Sequence, residues 1–316
     1  IKILRSESNG NFEYSIKDSL VVVSGNEQVL KIPINEFKIQ ATTLLNHIKT
    51  SSSGTFSIPE IEKFMQGINC ISLKASSSSK TDITVVIHDP ITNQTPTLGF
   101  SIKSQLGNPS TLLNAGKTTN FTFKIINLNS EEITAINRIK TKNKIKDRIE
   151  AIHSKGGVFQ FVKTDKQIFS NNLILIDSLL PQIISQIILN FFSTSNTIMV
   201  DLLSAIEEQN PLNFDVSNNH KFYTYKMKRF LTDIALGMMP SKVWTGQYDA
   251  TGGYLIVKKD GDVLCYHIYN RNDFENYLIN NTKLETASSS RHGFGELYEE
   301  NGELFFKLNL QIRFLK

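Results

Sequence analysis

Cysteine is scarce in this sequence: Cys70 and Cys265 are the only two among 316 residues, and they lie far apart. That excludes a disulfide-stapled secreted scaffold and a thiolate zinc finger, which need more cysteines at closer spacing. Both are read as buried apolar fillers, in keeping with a reducing cytoplasm. Long hydrophobic runs are also missing. No apolar stretch reaches the roughly 18 residues that span a bilayer. The most apolar segment, Leu173 to Phe192, is interrupted by Asp177, Ser178, Pro181, Gln182 and Gln186, so no membrane partner is expected. Strong charge of one sign is absent. A net charge of +4 with 20% charged residues excludes a histone-like binder and leaves a nucleic-acid partner open. There is no Walker loop, no G-x-G-x-x-G and no carboxylate pair at a useful catalytic spacing, which argues against nucleotide or carbohydrate metabolism. His88, His153, His220 and His267 have no metal-ligand spacing and are read as structural. The first residue is isoleucine and no charged-then-apolar leader follows it, which predicts a piece whose start lies upstream.

What is present reads as a globular α/β chain. Ile1 to Phe37 predicts short extended segments, with the β-branched Ser19 to Ser24 ended by Gly25-Asn26. Helices are predicted over Asn35 to Lys49 and, opening on Pro59, over Ile58 to Asn69. Ser51 to Thr55 reads as a loop, and Ser76 to Ser79 is a low-complexity serine cluster. Ile83 to Ile87 and Leu98 to Gln105 form a hairpin around Asp89-Pro90-Ile91-Thr92-Asn93. A strand over Phe121 to Ile126 precedes one long helix over Glu131 to Ser154, stopped by Gly156-Gly157. Ser178 to Phe192 and His220 to Leu236 are further helices. Beyond Trp244 the pattern is strand and turn: Tyr254 to Lys258, Val263 to Tyr269 and Leu304 to Phe314, with turns at Asp260-Gly261 and Asn301-Gly302. A modest composition shift suggests a core over 1–155 and a second region over 156–316.

The chemistry concentrates on Lys80-Thr81-Asp82, the hairpin, and Ser101-Ile102-Lys103-Ser104-Gln105. Alternate strand residues share a face, so Ser101, Lys103 and Gln105 point one way and Phe100 and Ile102 the other. A lysine among apolar strand neighbours is costly unless it has a role. Asp82 at the start of the paired strand brings a carboxylate towards it. Phosphodiester hydrolysis uses such a pair: a hard cation such as Mg2+ takes the carboxylate of Asp82 and the backbone carbonyl of Ile102, and the lysine orients the attacking water. Spacing alone leaves a structural ion pair open.

These residues resemble the PD-(D/E)XK nuclease motif, with Thr81 in place of proline and Ser101 in place of the second acid. The longer strings Gly99 to Ala115, Asp249 to Leu278 and Leu308 to Phe314 resemble the HpaII-type restriction endonucleases across most of the chain. The resemblance implies a mixed sheet flanked by helices, followed by a strand-rich region. It also implies Mg2+-dependent cleavage of double-stranded DNA at a short palindrome of the CCGG kind, and a companion cytosine methyltransferase. A palindrome cut in both strands implies a homodimer on DNA. It further implies a glutamate-bearing helix ahead of Ile1, with Glu60 and Glu62 as internal substitutes for the missing acid. A non-cutting DNA-binding derivative, or a nuclease for RNA or repair intermediates, remains open on the residues alone.

Expected DNA contacts are Lys80 and the polar residues after the motif: Asn108, Ser110, Asn114 and Lys117. Lys142 and Lys146 lie on a basic helix face, and the polar loop Ser288 to Gly293 offers Arg291 for guanine and His292 for a base or phosphate.

Overall fold

The computed structural model describes residues 2–51, 56–72, 80–88, 91 and 93–315. Along the chain run β1 (Lys2–Glu7), β2 (Gly10–Lys17), β3 (Leu20–Gly25), β4 (Gln28–Pro33), α1 (Ile34–Thr50), α2 (Pro59–Gly67), β5 (Ile83–Val86), β6 (Thr97–Ser104) and β7 (Thr111–Leu113). Next come β8 (Asn120–Ile126), α3 (Glu132–Asn137), α4 (Lys144–Ser154), β9 (Val158–Thr164), α5 (Gln167–Ile176), α6 (Leu180–Ser193), α7 (Met199–Gln209) and α8 (Phe222–Leu236). The rest is β10 (Gly253–Val257), β11 (Val263–His267), α9 (Arg271–Asn280), β12 (Thr282–Leu284), α10 (Ser289–His292), β13 (Leu297–Glu300), β14 (Glu303–Asn309) and β15 (Ile312–Phe314). The expected loop at Ser52 to Thr55, the serines 76–79 and hairpin residues Asp89, Pro90 and Thr92 lie outside the described residues.

The chain divides into two compact units. One holds Ile1–Ser110 with Tyr248–Phe274, the other Thr111–Gln247 with Glu275–Leu315. Residue 155, the division suggested by composition, lies inside the second unit. The first unit is built on an eight-stranded mixed sheet, ordered β11-β10-β6-β5-β1-β2-β3-β4. All its neighbours are antiparallel except β6 and β10, which run parallel. Strands β2, β3 and β4 form a meander because two-residue turns close it: Asp18-Ser19 and Asn26-Glu27 all take positive φ, the conformation that matches strand twist. Alternation then sends Phe12, Tyr14, Val21 and Val23 to one face, where Ile34 and Phe37 of α1 and Phe64 and Met65 of α2 cover them. Cys70 belongs to this core as expected, whereas Cys265 on the edge strand β11 is exposed.

The second unit carries a four-stranded antiparallel sheet, β13-β14-β8-β9, and a three-stranded one, β12-β15-β7. Its core includes α6, whose Ile183, Ile184, Ile187 and Ile188 are all buried. This accounts for the apolarity of the segment; among the described residues no single helix is long and apolar enough to cross a membrane.

Four sequence expectations need correction here. The single helix over Glu131 to Ser154 is two helices, α3 and α4. Arg148 of α4 is 2% exposed, and its guanidinium donates to the carbonyls of Asn137, Ile139 and Gly295, so the chain between the helices bends to supply acceptors. The strand over Leu304 to Phe314 is β14 and β15 in different sheets, separated where Leu310 N–H donates to Thr119 O. The region beyond Trp244 also contains a helix, α9. Ser288 to Gly293 is not a loop but the one-turn helix α10, whose Ser288 Oγ accepts from Arg291 N–H and whose end, Gly293, sits at φ +66°.

Candidate active site

The first unit brings the sequence-selected pair together. β5 and β6 pair with Ile83 opposite Phe100, and Asp82 N–H donates to Phe100 O at the end of the ladder. One residue further the side chain takes over. Asp82 Oδ2 accepts from Ile102 N–H at 2.6 Å and from Ser101 Oγ at 3.1 Å. The carboxylate thus occupies the place of the next ladder carbonyl, and the two strands part there. Ser101 is buried at 3% exposure, which a serine tolerates because its hydroxyl is satisfied by Asp82. Lys103 follows on the same face, half-buried, with Nζ 5.2 Å from the centre of the Tyr254 ring of β10. Burial pushes the Lys103 ammonium below its usual range, and the Asp82 charge opposes the shift.

Lys80 also reaches this cluster. Its burial, and after that the neighbouring Lys103 charge, push its ammonium down, while Asp249 and Asp82 pull it up. The spacing of the motif did not single out Asp249; the adjacency of β10 to β6, which brings it here, is a parallel pairing across about 150 residues of sequence. Gln105 lies past the end of β6, exposed, with its N–H donating to Val257 O. Asn108 is exposed on the chain leaving β6, and Ser110 is half-buried. Glu62 on α2 accepts from Ser57 Oγ, and Glu60 is exposed in the first turn of that helix. On the far side of β6, Asp82 and Ile102 line a groove of about 1370 Å³ with Tyr14, Phe37 and Met65.

The second unit unites two sequence-selected groups. Lys142, Lys144 and Lys146 line a pocket of about 580 Å³ together with Thr194, Ser195 and Ser288 to Ser290. Lys146 Nζ donates to Ser195 Oγ at 3.3 Å. Arg291 is exposed and His292 half-buried on α10 beside these serines. The buried Asn120 fixes that turn, since its Nδ2 donates to His292 O at 2.9 Å and its Oδ1 accepts from Asn309. Asn114 and Lys117 are exposed between β7 and β8. Among the described residues, no three His, Cys, Asp or Glu side chains form a metal-holding group.

Comparison with known proteins sets this geometry in a family. A family model described as HpaII restriction endonuclease matches residues 1–314. Type II restriction enzyme HpaII of Haemophilus parainfluenzae is 51% identical over 318 residues, covering 100% of this chain and 88% of the relative. No solved structure matches. These matches place the chain in a class of enzymes, the type II restriction endonucleases, which are site-specific deoxyribonucleases acting on double-stranded DNA. Within that class it belongs to the HpaII restriction endonuclease family, as the resemblance in its strings implied.

Proposed function

We propose that Asp82, Ser101 and Lys103 form the hydrolytic centre of this endonuclease, that the centre uses Mg2+, and that it cuts CCGG in duplex DNA. The observation carrying this reading is the carboxylate of Asp82 in the ladder position opposite Ile102, with Lys103 on the next same-face position of the strand. The hairpin β5–β6 with β10 parallel to β6 supports a PD-(D/E)XK core.

The donor set fits a hard cation. Asp82 supplies a carboxylate. Ile102 carries its carbonyl along the strand edge from which its N–H reaches Asp82, because both groups of a strand residue leave on one side. So few protein ligands suit magnesium, which keeps several waters and takes the phosphate as a further ligand. When bound, the cation polarises the phosphate and lowers the pKa of a water. Lys103 orients the attacking water and stabilises the charge growing on the phosphate; its half-burial strengthens both effects. Ser101 holds the Asp82 carboxylate in one orientation through its hydroxyl. Gln105, exposed past the strand, contacts a phosphate.

Asp82→Asn tests the reading. The amide keeps the shape and removes the charge, so Mg2+-dependent cutting of a CCGG duplex is expected to vanish, and calcium affinity in the presence of DNA to fall about tenfold or more. Unchanged calorimetric calcium binding would move the ligand role elsewhere.

The pocket holding Lys142 and Lys146 grips the DNA backbone, with Asn108, Ser110, Asn114 and Lys117 as further phosphate contacts and Arg291 and His292 on α10 turned to base edges. Replacing Lys142 and Lys146 together by alanine is expected to weaken specific and random duplexes about equally, and to reduce the slope of log K against log salt by about two units. A salt series with an unchanged slope would return both to ordinary surface lysines. A palindromic site supports a homodimer on DNA, and a cytosine methyltransferase of the same specificity as the protecting partner.

A further inference from the structure

Ser101 stands where an acid would complete the motif, which leaves Asp82 alone against two lysines, Lys80 and Lys103. The main chain of a second acid, Asp249, reaches the same face of the sheet from far along the sequence. The segment leading into β10 is strapped across the start of β6: Thr81 Oγ1 donates to Asp249 O at 2.8 Å, Gly99 N–H to Thr251 Oγ1 at 3.2 Å, and Gly252 N–H to Gly99 O at 2.7 Å. The approach is so close that a Cβ on Gly99 would stand 2.5 Å from Asp249 O and 2.7 Å from Thr81 Oγ1. That absent Cβ lies on the face shared by Ser101 and Lys103, since strand residues two apart point the same way. The Asp249 main chain is therefore held on that face beside Thr81, the chain neighbour of Lys80, and its exposed carboxylate acts with Asp82 to raise the Lys80 ammonium against burial and the Lys103 charge.

We infer that Lys80 and Asp249 are a second working pair of the hydrolytic centre: Lys80 binds a nonbridging oxygen of the scissile phosphate beside Lys103, and Asp249 is the positioning residue that holds Lys80 there. With Asp249 included, two carboxylates balance two ammonium groups. A divalent cation then enters a neutral cluster, where Asp82 alone would leave an excess of positive charge. Each lysine then has an acid whose charge raises its ammonium, Asp249 for Lys80 and Asp82 for Lys103.

The inference rests on the hydrolytic centre proposed above, and the test separates the two. Single-turnover cleavage of a CCGG duplex, duplex Kd in calcium, and thermal midpoint are measured for Lys103→Ala, Lys80→Ala, Asp249→Asn, Asp249→Glu and the Lys80→Ala/Asp249→Asn double variant. Asp249→Asn is expected to slow cleavage about tenfold or more with Kd within about twofold, and Asp249→Glu to recover most of the loss. The double variant should be no slower than Lys80→Ala alone, because Asp249 acts through Lys80. Asp249→Asn at the parent rate, or a double variant whose losses multiply, overturns the pairing. If Asp249→Asn fails to fold, Lys80→Ala decides, and parent-rate cleavage by that variant overturns the inference. Parent-rate cleavage by Lys103→Ala removes the hydrolytic centre itself, whereas a dead Lys103→Ala beside a fully active Asp249→Asn removes the new pair only.

Discussion

Replacing Lys103 by alanine is expected to lower the single-turnover cleavage rate by at least about a hundredfold while duplex affinity stays within about twofold of the parent. Loss of one preorganised electrostatic group in a half-dry site typically has this size. The variant leaves the scaffold in place. Asp82 keeps its bonds to Ile102 N–H and Ser101 Oγ, and β6 keeps its pairing with β5 and β10. What disappears is the ammonium whose Nζ stands 5.2 Å from the Tyr254 ring, together with its charge beside Asp82. Gel-resolved rates with anisotropy-measured Kd distinguish the outcomes. A variant that cuts as fast as the parent places the chemistry elsewhere.

The second large effect concerns stability. Arg148→Ala is expected to destabilise the protein by about 3 kcal/mol or more, because it strips three carbonyls of their donor in the interior of the second unit. The guanidinium is 2% exposed and satisfies Asn137, Ile139 and Gly295 at once; its ion pair with Glu296 at 3.7 Å involves a carboxylate that is 71% exposed and adds little. Arg148→Lys should recover only part of the loss, since one ammonium cannot reproduce a planar fork. Urea midpoints at fixed m-value measure it. A shift within about 0.5 kcal/mol, ordinary for a surface site, would mean that water replaces the donor without cost.

Much of the first unit was legible because its signals are local. The alternation of Phe12, Tyr14, Val21 and Val23, the proline at the start of α2 and the Asp82–Lys103 hairpin each depend on residues close in sequence. The errors share a cause: tertiary partners. Residues 138–143 hold no glycine or proline to stop a helix, yet the buried Arg148 requires the carbonyls that an unbroken helix would have used internally. The polar run at Ser288 looked like a loop because nothing local announces the Asn120 bond that fixes it. Asp249 was not separable from the other exposed acids, since what distinguishes it is a glycine on a strand about 150 residues earlier.

That interval between β6 and β10 sets an order of events during synthesis. When β6 leaves the ribosome, Asp82 and Lys103 already exist on their hairpin, but the β6 edge that β10 will cover is open and Tyr254 has not been made. At cellular rates of about 5–20 residues per second, the covering strand follows roughly 8–30 s later. In the hydrolytic centre proposed above, Lys103 thus gains its Tyr254 neighbour only after most of the chain, including the segment around Lys142 and Lys146, has been translated. Chains terminated before residue 253 lack β10 and leave that edge of β6 unpaired, a template for aggregation.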